Sequence, residues 1–126
     1  YCRDDLLMAA PNLKAPTSIT GKTARYAVTT TLAAALSNAA ASGKVLKINS
    51  IFCANVDGAS AADISVSIYD GTTDRYLAKT IAVPADATQI LSTKETYFYL
   101  EEGDSIRALA SAASDLELVI GYEEIA

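Results

Sequence analysis

The sequence predicts an all-β fold, an antiparallel β-sandwich or jelly-roll-like domain over residues 19–126, preceded by an extended N-terminal arm over residues 1–18. Three observations predict it. Apolar residues alternate with polar ones at period two in several separate runs. Asp-Gly and Gly-Asp pairs stand between those runs, where glycine supplies the positive φ that tight reversals need. Reversals recur at the short spacing of a two-sheet body, with barrel closure as the alternative.

The arm comes first. Tyr1, Leu6, Leu7 and Met8 mix with Arg3, Asp4 and Asp5, and Pro11 and Pro16 then forbid a continuous helix. A single helical turn over residues 5–10, capped by Asp4 or Asp5, is the local alternative. Residues 17–41 are low in complexity, with Thr29-Thr30-Thr31 and alanine clusters around Leu32, Leu36 and Asn38. Alanine alone favours helix. Yet Tyr26, Val28, Thr30 and Leu32 alternate with smaller residues after Gly21, and Ser42-Gly43 closes the segment, so one or two strands are expected.

The body is plainer. Residues 44–56 form a strand ending at Asp57-Gly58. Ile64, Val66 and Ile68 face one way around Ser65 and Ser67, and the run ends at Asp70-Gly71. Pro84-Ala85-Asp86 marks another reversal. In residues 96–100, Tyr97 and Tyr99 alternate with Phe98 and Leu100, so one pair belongs to the core and the other to the surface. Glu101-Glu102-Gly103-Asp104 turns the chain into Ile106, Ala108 and Ala110, set around Arg107 and Leu109. Leu116, Leu118, Ile120 and Tyr122 close the sequence around Glu117, Val119 and Gly121.

At 126 residues and 51% hydrophobic, the chain suits one domain. Much of the apolar share is alanine, and large rings come only from Phe52, Phe98 and seven tyrosines, so the predicted core is thin. Burial against neighbouring copies would supplement it. No stretch approaches the roughly 18 apolar residues of a membrane span, since residues 32–41 are interrupted by Ser37 and Asn38, and a soluble protein is expected. A tyrosine in first position predicts a processed chain or one whose start precedes Tyr1. No charged segment followed by an apolar one marks a secretory leader.

Charge is unevenly placed. Residues 1–50 carry six cations and two anions, and residues 51–126 four cations and thirteen anions, giving +4 and −9 and a total of −5. A basic leading segment and an acidic body are complementary between copies. The acidic total argues against nucleic acid as a direct partner and against an anionic membrane surface.

Chemistry-bearing patterns are few. There is no histidine, no G-x-S-x-G and no Gly-rich phosphate loop, so no enzyme activity, cofactor or metal is expected. Glu101, Glu102 and Asp104 read as turn acidity rather than a catalytic carboxylate pair. Asp57, Asp63, Asp70 and Asp74 would gather around calcium only if both Asp-Gly loops shared one end of the sandwich. Tyr97 and Tyr99 carry the alternative of a sugar-binding platform. If Leu46 and Ile48 face inward in an unbroken register, Phe52 and Ala54 do too and Cys53 faces outward; a bulge reverses this. Cys2 and Cys53 leave three arrangements open: separate free thiols, a bridge between copies, or an intrachain bridge closing a loop of about 50 residues. Two cysteines without histidine do not make a four-ligand zinc site.

Residues 47–58 (KINSIFCANVDG), 64–71 (ISVSIYDG), 76–81 with Pro84, and 99–106 together resemble small β-sandwich virion proteins of tailed bacteriophages, over roughly residues 44–124. The resemblance implies a structural component on the outer surface of the particle: a capsid decoration or cement protein, or a head-neck collar or tail-surface protein. It carries no active-site residues, and Cys53 departs from it. The implied assembly is a homo-oligomer, cyclic in symmetry, contacting other capsid or neck components. Independently of the resemblance, the arm is expected to cross a neighbouring subunit: Leu6, Leu7 and Met8 fill apolar grooves, Arg3 and Lys14 meet acidic loops at Asp57, Asp70, Asp74, Glu101, Glu102 and Asp104, and Cys2 is available as a staple to Cys53. The alternative function is a carbohydrate- or receptor-binding module of a tail or fibre.

Overall fold

The first half of the chain pairs with the second half in reverse order. The structure, a computed structural model, describes residues 11–126. Its strands are β1 (Ile19–Ala27), β2 (Ala33–Ser37), β3 (Val45–Asn55), β4 (Ala62–Tyr69), β5 (Asp74–Val83), β6 (Thr88–Ser92), β7 (Phe98–Leu100), β8 (Ser105–Ala110) and β9 (Leu116–Ile125). β1 lies against β9, β2 against β8, β3 against both β6 and β7, and β4 against β5, all antiparallel. A 3-10 turn at Lys94–Thr96 separates β6 from β7, which share β3 as partner. The ladder then rolls up so that β9 also meets β3 and β8 also meets β4. One sheet takes the order β1-β9-β3-β6 with β7 beside β3, and the other the order β2-β8-β4-β5. This is the jelly-roll path.

Local chemistry sets the tip of the ladder. Between β4 and β5, Asp70 Oδ1 accepts the amides of Thr72 and Thr73 at 2.9 and 2.8 Å, and Gly71 takes a φ of 95°. A carboxylate accepting backbone N–H groups closes the reversal without needing distant contacts. The low-complexity segment forms two strands rather than a helix, because Ala24, Tyr26, Ala35 and Leu36 pack onto the core from β1 and β2.

The two sheets enclose aliphatic side chains. Ile48, Ile51, Ile64, Val66, Val83, Leu100, Ile106 and Ile120 are fully buried, while Tyr26, Phe98 and Tyr122 pack only at the margin. Each buried branched residue contributes about 1.5–3 kcal/mol. Ala62, Ala78, Ala108 and Ala110 fill inward positions of the second sheet with little volume, as the thin core predicted.

A β-bulge corrects one expectation. The register of β3 against β9 shifts between Ile48 and Ser50, so Asn49 has no opposite residue and the faces beyond it exchange. Ile51, Cys53 and Asn55 therefore point inward, whereas Phe52 and Ala54 lie on the outer face. Cys53 is fully buried rather than outward-facing. The ladder beside the bulge is tight: a Cβ on Gly121 would stand 2.9 Å from Ser50 Oγ.

Candidate interaction surfaces

Strand order sorts the loops into two groups. Connections 38–44, 70–73 and 101–104 gather at the end where the chain enters and leaves, and connections 28–32, 56–61, 84–87 and 111–115 gather at the other. Hydrogen bonds fix both groups: Gly103 N–H donates to Asn38 O and Thr17 N–H to Ala126 O at the first, and Asp86 N–H donates to Asp57 O at the second. The two Asp-Gly loops thus sit at opposite ends, which removes the arrangement that a shared calcium site required. Among the described residues, no group of three or more potential metal-binding side chains occurs.

The acidic candidates divide accordingly. Asp70, Glu101, Glu102 and Asp104 lie at the terminal end, and Asp57 at the far end. Glu102 accepts the Gly43 N–H, and Asp104 Oδ2 accepts the Glu101 N–H at 3.2 Å, so both brace loop backbone. Asp57 Oδ1 accepts the Ala59 N–H at 3.0 Å. The amides of Thr73 and Thr72 hold the Asp70 carboxyl below its ordinary range, so the exposed turn is firmly anionic. Glu124 adds a further acid there, at 3.0 Å from Lys22 Nζ and 3.4 Å from Lys44 Nζ.

Asp74 is engaged elsewhere. On the outer face of the β2-β8-β4-β5 sheet its Oδ1 accepts from Ser67 Oγ at 2.8 Å and lies 3.5 Å from Arg107 Nε. Arg107 in turn stacks over Tyr69, its Cζ 4.2 Å from the ring centroid. Cross-strand pairing explains this cluster, since Ser67 faces Arg107 and Tyr69 faces Asp74. Residue spacing along the chain held no sign of it.

The other sheet's outer face carries an apolar row that was also not anticipated. Val119, Phe52 and Ile90 follow one another across β9, β3 and β6 in register, and Val119 and Ile90 are 38% and 54% exposed. Nearby, Phe98 and Leu100 turn inward and Tyr97 and Tyr99 stay exposed. The two tyrosine rings meet edge to face at 87°, and Lys47 Nζ covers Tyr97 at 4.4 Å from its centroid. Perpendicular rings with one face already taken do not make the flat platform that a sugar ring stacks on.

Lys14 lies in an exposed turn at residues 12–15, its amide donating to Asn12 Oδ1 at 3.0 Å. Cys2, Arg3, Leu6, Leu7 and Met8, and the helical turn considered for residues 5–10, lie outside the described residues. Cys53 sits in the core beside Ile51 and Leu118, and burial pushes its thiol up to about 11. A thiol so placed is not presented to a neighbouring chain.

No helix among the described residues is long and apolar enough to cross a membrane. No protein-family model matches the chain, and no curated protein matches it significantly. Solved structures do. A pentameric capsid protein from metagenomic phage sequences is similar at 19% identity and a TM-score of 0.41, covering 98% of this chain and 67% of that one. A Bacillus endospore appendage protein, from a family of disulfide-linked pili, is similar at 16% identity and a TM-score of 0.45, covering 88% and 93%.

Proposed function

We propose that this protein is a non-enzymatic structural component of a bacteriophage particle, displayed on its outer surface as a head decoration or cement protein or at the head-neck collar. One observation supports the reading above all: the N-terminal segment leaves the sandwich at the end where the acidic loops gather. Thr17 and Ser18 N–H groups donate to Ala126 O at 2.6 and 3.1 Å, which fixes the root of the arm at the same end of the sandwich as Glu101, Glu102 and Asp104. Arg3 and Lys14, carried on a segment that leaves the body at the end where the anionic loops gather, suit copies joined by exchange of arms.

In this reading Arg3 and Lys14 meet Asp70, Glu101, Glu102 and Asp104 of an adjoining subunit, and Leu6, Leu7 and Met8 cover its apolar surface. Asp57 and Asp74 fall away from the acceptor set, the first by position and the second by its contacts with Arg107 and Ser67. Cys53 serves as a core residue. The jelly roll itself suits capsid and appendage roles, an argument from fold alone.

Immunogold labelling of intact phage particles, with antibody raised against residues 17–126, tests the role. Label on head, neck or tail surface is the expected result. Particles without label, from lysates in which the protein is detected, would refute it.

A further inference from the structure

Sheet edges invite pairing with other chains, and proteins usually interrupt them with bulges, short strands or turns. Three of the four edges here carry such interruptions among the described residues. β5 shifts register twice against β4, and Thr80 there takes a φ of 54°. β2 has five residues and a shift between Ala34 and Leu36. β6 and β7 are split by the Lys94–Thr96 turn. β1 has none of these. It runs nine residues in unbroken register with β9, from Ile19↔Ile125 to Ala27↔Glu117, with no described strand on its other side. Its first five residues are exposed.

We propose that two copies of the chain join by antiparallel pairing of their β1 strands about a twofold axis at Thr23, merging two sheets into one. The second copy is the partner because β1 itself is the one described edge that matches β1 in length and regularity, which makes the contact isologous. In this register Ile19 faces the partner's Ala27 and Gly21 faces the partner's Arg25. The exposed half of each strand thereby lies beside the packed half of the other.

Charge selects the register. Arg25 projects from the outer face, since its neighbours Ala24 and Tyr26 pack inward on the core, and Glu123 projects from that same face beside Gly21. Neither has an ion-pair partner among the described residues. Across the twofold, Arg25 lies two strand spacings, about 10 Å between Cα atoms, from the partner's Glu123. Gly21 stands between them without a side chain, so the two long side chains meet over it, once in each half. Centring the axis on Lys22 or Arg25 instead sets like charges face to face.

Charge reversal in the full chain tests this, independently of any role in a particle. Sedimentation equilibrium should give a concentration-dependent dimer. Arg25→Glu alone and Glu123→Arg alone should each raise its dissociation constant by about tenfold or more, with unchanged circular dichroism. An equimolar mixture of the two variants should recover wild-type dimerisation, because both contacts in the mixed pair then join opposite charges. Thr23→Cys, in a Cys2→Ser background, should cross-link to itself under mild oxidation. A strictly monomeric wild type, a dimer indifferent to both reversals, or a mixture no tighter than its components would overturn the proposal. Absence of the Thr23→Cys cross-link, as when a neighbour's arm covers β1, would overturn it too.

Discussion

Asn38 and Asn55 occupy opposite ends of the sandwich and tie the two sheets together in opposite senses. Asn38, at the end of β2, donates its side-chain amide to Lys44 O and Leu100 O at 2.9 and 3.0 Å, on the β3 and β7 side. Asn55, the last residue of β3, donates to Val83 O and Ser60 O at 2.9 and 3.0 Å, on the β5 and β4 side. Both side chains also accept, from Ser42 Oγ and from the Asp57 N–H. Buried at 4% and 3% exposure, each is a fully used polar group. Replacing either by alanine takes this donor from one buried and one part-buried carbonyl, and a loss of about 2–3 kcal/mol is expected in urea unfolding. The double variant should lose nearly the sum, since the sites share no partner.

The enclosed Cys53 thiol should be kinetically silent. In a Cys2→Ser background, a disulfide reagent at pH 8 should leave the native protein untouched and label it at once in denaturant. The raised thiol value carries a sign: the folded state holds this proton more tightly than the unfolded state, whose value is 9.0. That contribution is complete below about pH 9 and is lost as pH rises toward 11, so thermal stability should fall over this interval and do so less in Cys53→Ala. Cys53→Ser should cost about 2 kcal/mol by burying an unpaired hydroxyl.

Acid should act at the terminal end. Lys22 holds Glu124 below its ordinary 4.5, and the turn amides hold Asp70 below its ordinary 3.8. Both groups favour the folded state fully above those ordinary values. Their contribution is lost as pH falls through the lower folded ones. Melting temperature should therefore drop below about pH 4.5, and Glu124→Gln should flatten the decline. Salt should blunt the Glu124 share, which rests on its ion pairs with Lys22 and Lys44, more than the Asp70 share, which rests on turn amides.

Removal of residues 1–16 should leave the sandwich folded. Among the described residues, the first hydrogen bonds to the body are those of the Thr17 and Ser18 amides to Ala126, which this deletion spares. Circular dichroism and melting should be nearly unchanged, while capture by particles stripped of the protein should fail. A peptide of residues 1–16 should bind the truncated body, and Glu101→Lys should weaken that binding; titration calorimetry at low salt reads both.

Much of the fold was legible because period two survives wherever one face is buried without interruption. Ile64, Val66 and Ile68, and Leu116, Leu118 and Ile120, lie inward as their spacing required. Legibility failed where the backbone carries an extra residue. Nothing in Asn49-Ser50 marks the bulge that turns Cys53 into the core, and β5, interrupted at Leu77 and Thr80, shows no clean alternation. The candidate surfaces were harder still. Asn38 works through carbonyls, one of them 62 residues away, and the placing of Asp57 and Asp70 at opposite ends is a property of strand order alone.

The mating of β1 with β9 also constrains biogenesis. The earliest described strand to leave the ribosome must wait for β9, nearly a hundred residues later in the sequence, before its hydrogen-bond ladder closes. Such remote closure belongs to the slow, millisecond-to-second class of folding reactions. Throughout that wait both margins of β1 stand unpaired, which makes crowded expression the condition under which nascent copies would meet too early.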